Sequence, residues 1–235
     1  MMFISARNIL LGAAAAVALS ALAHGDDWAN FRRYEKANAE VIDQPLEKRA
    51  VVFLGNSITE NWARIHPEFF TSHGFVPRGI SGQTSYQFLL RFRDDVISLH
   101  PSVVVINAGT NDVAENNHTY NEDRTFGNIV SMVELAQANG IKPVLSTVLP
   151  ALVFGWRPEI SDAPQKIKSL NKRLRAYAAA REIPFVDYYT PMALKETGAL
   201  NPSMTDDGVH PTAMGYDVME VAVLEVLSAM QPAKH

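Results

Sequence analysis

The stretch Val51-Val52-Phe53-Leu54-Gly55-Asn56-Ser57-Ile58-Thr59 decides how this chain is read. Four consecutive apolar residues without polar alternation describe a strand covered on both faces, as in a parallel sheet. The glycine closing the run, with polar residues behind it, marks a sharp turn. Three more β-rich runs follow at wide spacing: Val103 to Ile106, Val144 to Leu149, and Phe185-Val186. The shorter Phe75 to Ile80 reads as an edge strand. Between them, residues recur at helical spacing: Leu89, Phe92 and Val96; Ile129, Val133 and Ala136; Ile167, Leu170, Leu174 and Tyr177; Tyr216, Met219, Val223 and Val226. Gly140 fits just past the second of these helices, and Pro164 fits the first turn of the third, with Ser161 or Asp162 near its cap. Strands alternating with helices predict an α/β sandwich, in which right-handed crossovers bring every loop that follows a strand to one edge of the sheet.

Three strands run directly into small and polar clusters: Gly55-Asn56-Ser57-Ile58-Thr59, Gly79-Ile80-Ser81-Gly82-Gln83-Thr84, and Asn107-Ala108-Gly109-Thr110-Asn111-Asp112. All three meet at the carboxyl edge, where open α/β proteins build their sites. A fourth cluster, Asp207-Gly208-Val209-His210-Pro211, sets a carboxylate shortly before an imidazole. Cleaving an ester with serine needs a base for the hydroxyl proton, an anion that orients the imidazolium, and donors aimed at the oxyanion. Ser57 is the candidate nucleophile, His210 the base and Asp207 its partner. The candidate oxyanion donors are the Ser57 N–H at a helix start, the Gly82 N–H that no Cβ shields, and the Asn111 side-chain amide. Each cluster alone is an ordinary turn or cap, but their conjunction after successive strands points to one site.

Of the 235 residues, 47% are hydrophobic and 20% charged, with 21 Lys plus Arg against 25 Asp plus Glu. The net charge of -4 lacks the basic excess that a phosphate backbone attracts, so nucleic acid is not expected as a partner. The absence of cysteine excludes disulfides, thiolate metal sites, a cysteine nucleophile and a lipid carried on an amino-terminal Cys. The histidines include no H-E-x-x-H pair, and no metal or cofactor is implied. Arg7 precedes an apolar stretch, Ile9 to Ala23, that closes in Ala21-Leu22-Ala23. It reads as a signal peptide over residues 1–23, cleaved after Ala23 and delivering the chain to the periplasm or beyond. It falls short of the roughly 20 residues of a spanning helix, so no stable membrane anchor is expected. Residues 24–48, with Trp28, Phe31 and Tyr34 spaced by three, form an N-terminal helical extension, and residues 49–235 form one domain.

The four blocks, GNSIT at Gly55 to Thr59, GISGQT at Gly79 to Thr84, GTND at Gly109 to Asp112 and DGVHP at Asp207 to Pro211, resemble in content and order those of the SGNH or GDSL-type esterases and lipases. The resemblance runs from Val51 to Val226. It implies a flavodoxin-like three-layer α/β/α sandwich with a parallel five-stranded sheet of order 2-1-3-4-5. It also implies Ser57 as nucleophile, Gly82 and Asn111 as oxyanion donors, and His210 with Asp207 as base and orienter. The family's commonest signature has Asp where this chain has Asn56, a residue of similar shape that is not the triad acid, so activity is expected to survive. No G-x-S-x-G elbow is present, which argues against the α/β-hydrolase fold.

The stretch GISGQTSYQFLLRF, Gly79 to Phe92, is also similar to that of the platelet-activating-factor acetylhydrolase catalytic subunits, which remove short acyl groups. Exported bacterial members of that family often deacetylate carbohydrates. The resemblance therefore implies a small acyl ester, acetyl first, borne by a carbohydrate. After Phe154, Trp156 and Arg157 are candidate substrate contacts, an aromatic plane for a sugar and a guanidinium for a carboxylate. A lipase, lysophospholipase or thioesterase for longer chains is the alternative and needs an apolar groove. A non-catalytic carbohydrate-binding protein on the same fold is the second, opposed by the complete set Ser57, Asn111, Asp207 and His210.

Overall fold

In the computed structural model, which describes residues 27–230, the apolar runs become β1 (Val51–Gly55), β2 (Phe75–Gly79), β3 (Val103–Ile106), β4 (Lys142–Ser146) and β5 (Phe185–Val186). They form one sheet in the order β2-β1-β3-β4-β5, with every pairing parallel. β2 lies at an edge, where its Pro77 is tolerated because one side of the strand needs no ladder donor. The helices are α1 (Glu35–Ile42), α2 (Ser57–Ile65), α3 (Pro67–His73), α4 (Ser85–Asp95), α5 (Thr110–Val113), α6 (Glu122–Ala138), α7 (Ala163–Ala180), α8 (Tyr189–Met192) and α9 (Ala213–Ala229).

Successive strand residues point to opposite faces and so serve two cores. Val52, Leu54, Val104, Ile106 and Leu145 pack with buried residues of α4, α6 and α7. Val51, Phe53, Val105, Val144 and Val186 pack with those of α2, α3 and α9. The result is the α/β/α sandwich that the resemblance implies. In the second core Trp62 stacks on Phe69 and on Tyr216, with ring centroids 5.0 and 5.6 Å apart. Burying side chains of this size contributes about 1.5–3 kcal/mol each. The cluster thereby fixes α2, the helix that begins at Ser57, against α3 and α9. The Tyr216 hydroxyl adds a hydrogen bond to the Ile58 carbonyl at 2.8 Å.

Three expectations change. β4 ends at Ser146 rather than continuing to Leu149: Val148 and Leu149 are buried loop residues, and the Asn171 amide pairs both the N–H and the carbonyl of Val148. The apolar run there reports burial, not ladder pairing. α4 buries a wider face than Leu89, Phe92 and Val96 predict: Leu89 packs half-buried on the core, and Phe88, Arg91 and Asp95 are buried too, the last two neutralising each other inside at 2.8 Å. In α9 Leu227 is buried at the end of the face, and Val226 packs half-buried against the same core.

The segment ahead of β1 is tied down by α1. Its Asn38 side chain donates to Asp95 at 2.7 Å and accepts from Arg78 at 2.8 Å. The leader expected at residues 1–23 lies outside the described residues. Among the described residues no helix is long and apolar enough to cross a membrane.

Gly79 closes β2 directly beneath the first turn of α2. A Cβ there would meet the Glu60 nitrogen at 2.3 Å and the Asn56 carbonyl oxygen at 2.7 Å, both backbone atoms of the turn that carries Ser57. Gly79→Ala is therefore expected to destabilise the fold by about 1–3 kcal/mol. Chemical denaturation checks this, and an unchanged midpoint would show that the α2 turn has room to move.

Candidate active site

Asn56 is the N-cap of α2, and its Oδ1 accepts the Ile58 N–H at 2.9 Å. A neutral amide oxygen meets this demand as a carboxylate would, which accounts for Asn in place of the commoner Asp. Ser57 follows as the first helical residue, so its own N–H has no intrahelical acceptor. Among the described residues neither the Ser57 nor the Gly82 N–H has a backbone partner. Gly82 has φ +77°, a left-handed conformation that suits glycine. Its carbonyl is held by the Asn116 amide at 3.2 Å. Asn111, buried in α5, donates through Nδ2 to the Gln83 carbonyl at 2.9 Å. An amide nitrogen carries two N–H groups, so a second donor remains.

From the other end of the chain, the loop before α9 brings the imidazole. His210 Nε2 lies 2.9 Å from Ser57 Oγ, and His210 Nδ1 lies 2.6 Å from Asp207 Oδ2. An ionised carboxylate can only accept, so Nδ1 carries the proton and Nε2 is left to accept from the serine hydroxyl. The other Asp207 oxygen accepts the N–H groups of Val209 and His210 at 2.9 and 2.7 Å. Thr205 closes the loop, its hydroxyl donating to the His210 carbonyl at 2.8 Å and accepting the Gly208 N–H at 3.0 Å. Burial works against charge on Asp207, but hydrogen bonds from the His210 ring and from the two N–H groups outweigh it and hold its pKa below the ordinary carboxylate value. Glu60 behaves alike: burial raises its pKa, yet hydrogen bonds from Ser81 and Arg33 leave it lowered.

Sequence reasoning thus named Ser57, Gly82, Asn111, Asp207 and His210, and the fold brings the segments that bear them together. The two substrate candidates part company. Trp156 is 44% exposed, its ring centroid is 6.1 Å from that of His210, and its Nε1 donates to Asn116 at 2.8 Å. Arg157 is spent within the chain, on the Glu159 carboxylate at 2.6 Å and on the Glu115 carbonyl, and Phe154 is fully buried. Sequence reasoning missed Asn116, Gln83, Glu60 and Thr205. Of these only Gln83 lay inside a quoted block, and nothing in the residue types alone separates the others from surface polar residues. Elsewhere, His66, Asp217 and Glu220 gather their ligand atoms within 4.8 Å of one another. Glu220 there accepts from Trp62 and pairs with His66, which braces α2 against α9.

Fold and geometry together define an ester-hydrolysing serine hydrolase built on a parallel-sheet sandwich. The profile of the GDSL-like lipase/acylhydrolase family matches residues 53–218, and the chain belongs to that family. A crystal structure of a candidate acylhydrolase from Bacteroides fragilis NCTC 9343 is 61% identical, with a TM-score of 0.84 over 86% of this chain and 98% of that one. A GDSL-like lipase from Bacteroides thetaiotaomicron VPI-5482 is 60% identical, with a TM-score of 0.84 over 86% and 99% of the two chains. An uncharacterised lipoprotein of Bacillus subtilis (strain 168), YqeF, is 28% identical over 60% of this chain and 68% of its own.

The lowered pKa of Asp207 has a definite sign in stability. A carboxyl whose folded pKa lies below its unfolded one adds stability above the unfolded value, near about 4, and loses it as pH falls through the folded value. Asp207→Asn is therefore expected to melt below the parent protein above about pH 4, and that margin should close in stronger acid. Thermal scans across pH check this, and a margin that persists undiminished to about pH 2 would contradict it.

Proposed function

We propose that this chain hydrolyses short-chain esters, above all acetyl esters of carbohydrates, through an acyl-enzyme on Ser57. The observation that carries the reading is the unbroken relay from Ser57 Oγ to His210 at 2.9 Å and on to Asp207 at 2.6 Å. His210 takes the hydroxyl proton as Oγ bonds to the carbonyl carbon, and the carbonyl π electrons move to oxygen. That oxyanion collects the N–H groups of Ser57 and Gly82 and the free N–H of Asn111. The imidazolium, stabilised by Asp207, returns the proton to the leaving alcohol as the ester C–O bond breaks. Water then repeats the cycle on the acyl-enzyme and releases the acid.

Trp156 supports a carbohydrate on the leaving side. The leaving oxygen must come within reach of His210, and the exposed indole stands beside that imidazole with its orientation fixed by Asn116. Such a plane suits the C–H face of a sugar ring. Leu152 and Val153, exposed on the same loop, favour a second reading in which a longer acyl chain is held there. Export by residues 1–23, ahead of an extension at 24–48 and the hydrolase domain at 49–235, belongs to the same proposal. The Bacillus relative is a lipoprotein, whereas this sequence has no cysteine to carry lipid.

A p-nitrophenyl ester series tests the acyl preference: kcat/KM should be highest for acetate and fall with chain length, and a maximum at octanoate would favour the lipase reading. Trp156→Ala should raise KM for an acetylated oligosaccharide about tenfold, the equivalent of about 1.4 kcal/mol, and leave ethyl acetate untouched. Equal effects on both esters would remove the sugar contact. Asn111→Ala should lower kcat on the order of 10²- to 10³-fold with KM little changed. A change confined to KM would make Asn111 a binding group.

A further inference from the structure

Gln83 is 3% exposed, and each of its polar groups is spent on a different part of the molecule. Its Oε1 accepts from Arg91 Nε at 2.7 Å, its Nε2 donates to the Ala29 carbonyl at 2.7 Å, and its own carbonyl accepts from Asn111 Nδ2 at 2.9 Å. Arg91 is wholly buried and reaches further. One of its terminal nitrogens donates to the carbonyls of Gly55 and Arg78 at 2.9 and 3.0 Å, and the other pairs with Asp95 at 2.8 Å. The guanidinium therefore joins the carboxyl ends of β1 and β2 to the loop that carries Gly82.

The other arm of Gln83 lands on the segment ahead of β1, and it does not land alone. Gln87 donates to the Trp28 carbonyl at 2.8 Å, and the Tyr34 hydroxyl donates to the Gly79 carbonyl. Arg33 pairs at 2.9 Å with Glu60, whose second oxygen accepts the Ser81 N–H, also at 2.9 Å. Contacts from residues 28–34 thus bracket Gly82 on both sides along the chain. A glycine at φ +77° has no side chain of its own to hold it, so its aim must come from its neighbours.

We propose that Gln83 is a positioning residue of the oxyanion hole and that the segment from Trp28 to Tyr34 is a working part of the catalytic centre rather than a surface brace. Gln83 acts through Gly82 and Asn111: it fixes the peptide that follows the first donor and offers the carbonyl that orients the second. Preorganised donors matter most when charge develops, so the effect falls on the transition state and spares ground-state binding.

This inference rests on Asn111 being an oxyanion donor, and a double-mutant cycle separates the two claims. In purified protein assayed with p-nitrophenyl acetate, Gln83→Ala should lower kcat by about 10- to 100-fold with KM within about twofold. In the Asn111→Ala background the same substitution should cost clearly less than in the parent, because only the Gly82 donor is left for Gln83 to aim. Full multiplicative loss in that background, or a loss confined to KM, overturns the positioning role. If Asn111→Ala itself leaves kcat intact, the oxyanion assignment fails first. Gln83→Glu keeps the acceptor for Arg91 but removes the donor to Ala29, and it serves as the second variant if the alanine form does not fold. A fall in kcat of at least about fivefold in Gln83→Glu supports the part played by the N-terminal segment, whereas parental kcat refutes it.

Discussion

The parallel register that sets Gly55 beside Gly79, and Leu54 between Arg78 and Ile106, is the constraint from which the site follows. It ends β1, β2 and β3 at one edge, so the turns after them project side by side. The absence of a side chain at Gly79 lets the first turn of α2 settle directly on the neighbouring strand, with the Asn56 and Glu60 backbone in the space a Cβ would need. Ser57 consequently starts its helix against the loop that carries Gly82. The His210 loop has no strand partner in this frame. It reaches Ser57 because Tyr216, in the first turn of the helix that follows, is stacked on Trp62 and bonded to Ile58, both within the helix that Ser57 begins.

Charge is placed with economy around this edge. Arg91 and Asp95 are buried together, an arrangement whose desolvation cost commonly cancels its attraction, so their value lies in where the guanidinium donates rather than in added stability. Asn56 caps its helix without bringing a carboxylate next to the nucleophile. Asp207 keeps its charge because ring and backbone donors surround it and its side chain is 51% exposed to water. The formal negative charge nearest the imidazole is therefore the one that faces its Nδ1.

Much of this was legible in the sequence, and the parts that were not have physical reasons. Fully apolar runs such as Val103 to Ile106 and Phe185-Val186 match their strands because burial and ladder pairing coincide there. They diverge at Val148 and Leu149, where a side-chain amide from α7 replaces the ladder. The buried face of α4 was read only in part because hydrophobic periodicity treats Arg91 and Asp95 as solvent-facing, and only the fold shows that they neutralise each other. The site residues inside short motifs were readable from their spacing after strands. The supporting residues Asn116, Glu60 and Thr205 act through hydrogen bonds to backbone, and such bonds leave no pattern in a single sequence. Arg157 shows the reverse: a residue of suggestive type whose carboxylate partner is Glu159 of its own chain.

Every group in the site converges on Ser57 Oγ as the atom that attacks the ester. Covalent labelling with a fluorophosphonate, read by intact mass and peptide mapping, measures this most directly. A hydroxyl activated by His210 should take a single phosphonyl group at Ser57, with ester turnover lost in proportion to labelling. Full turnover in fully labelled protein, or an adduct on a different serine, would contradict it.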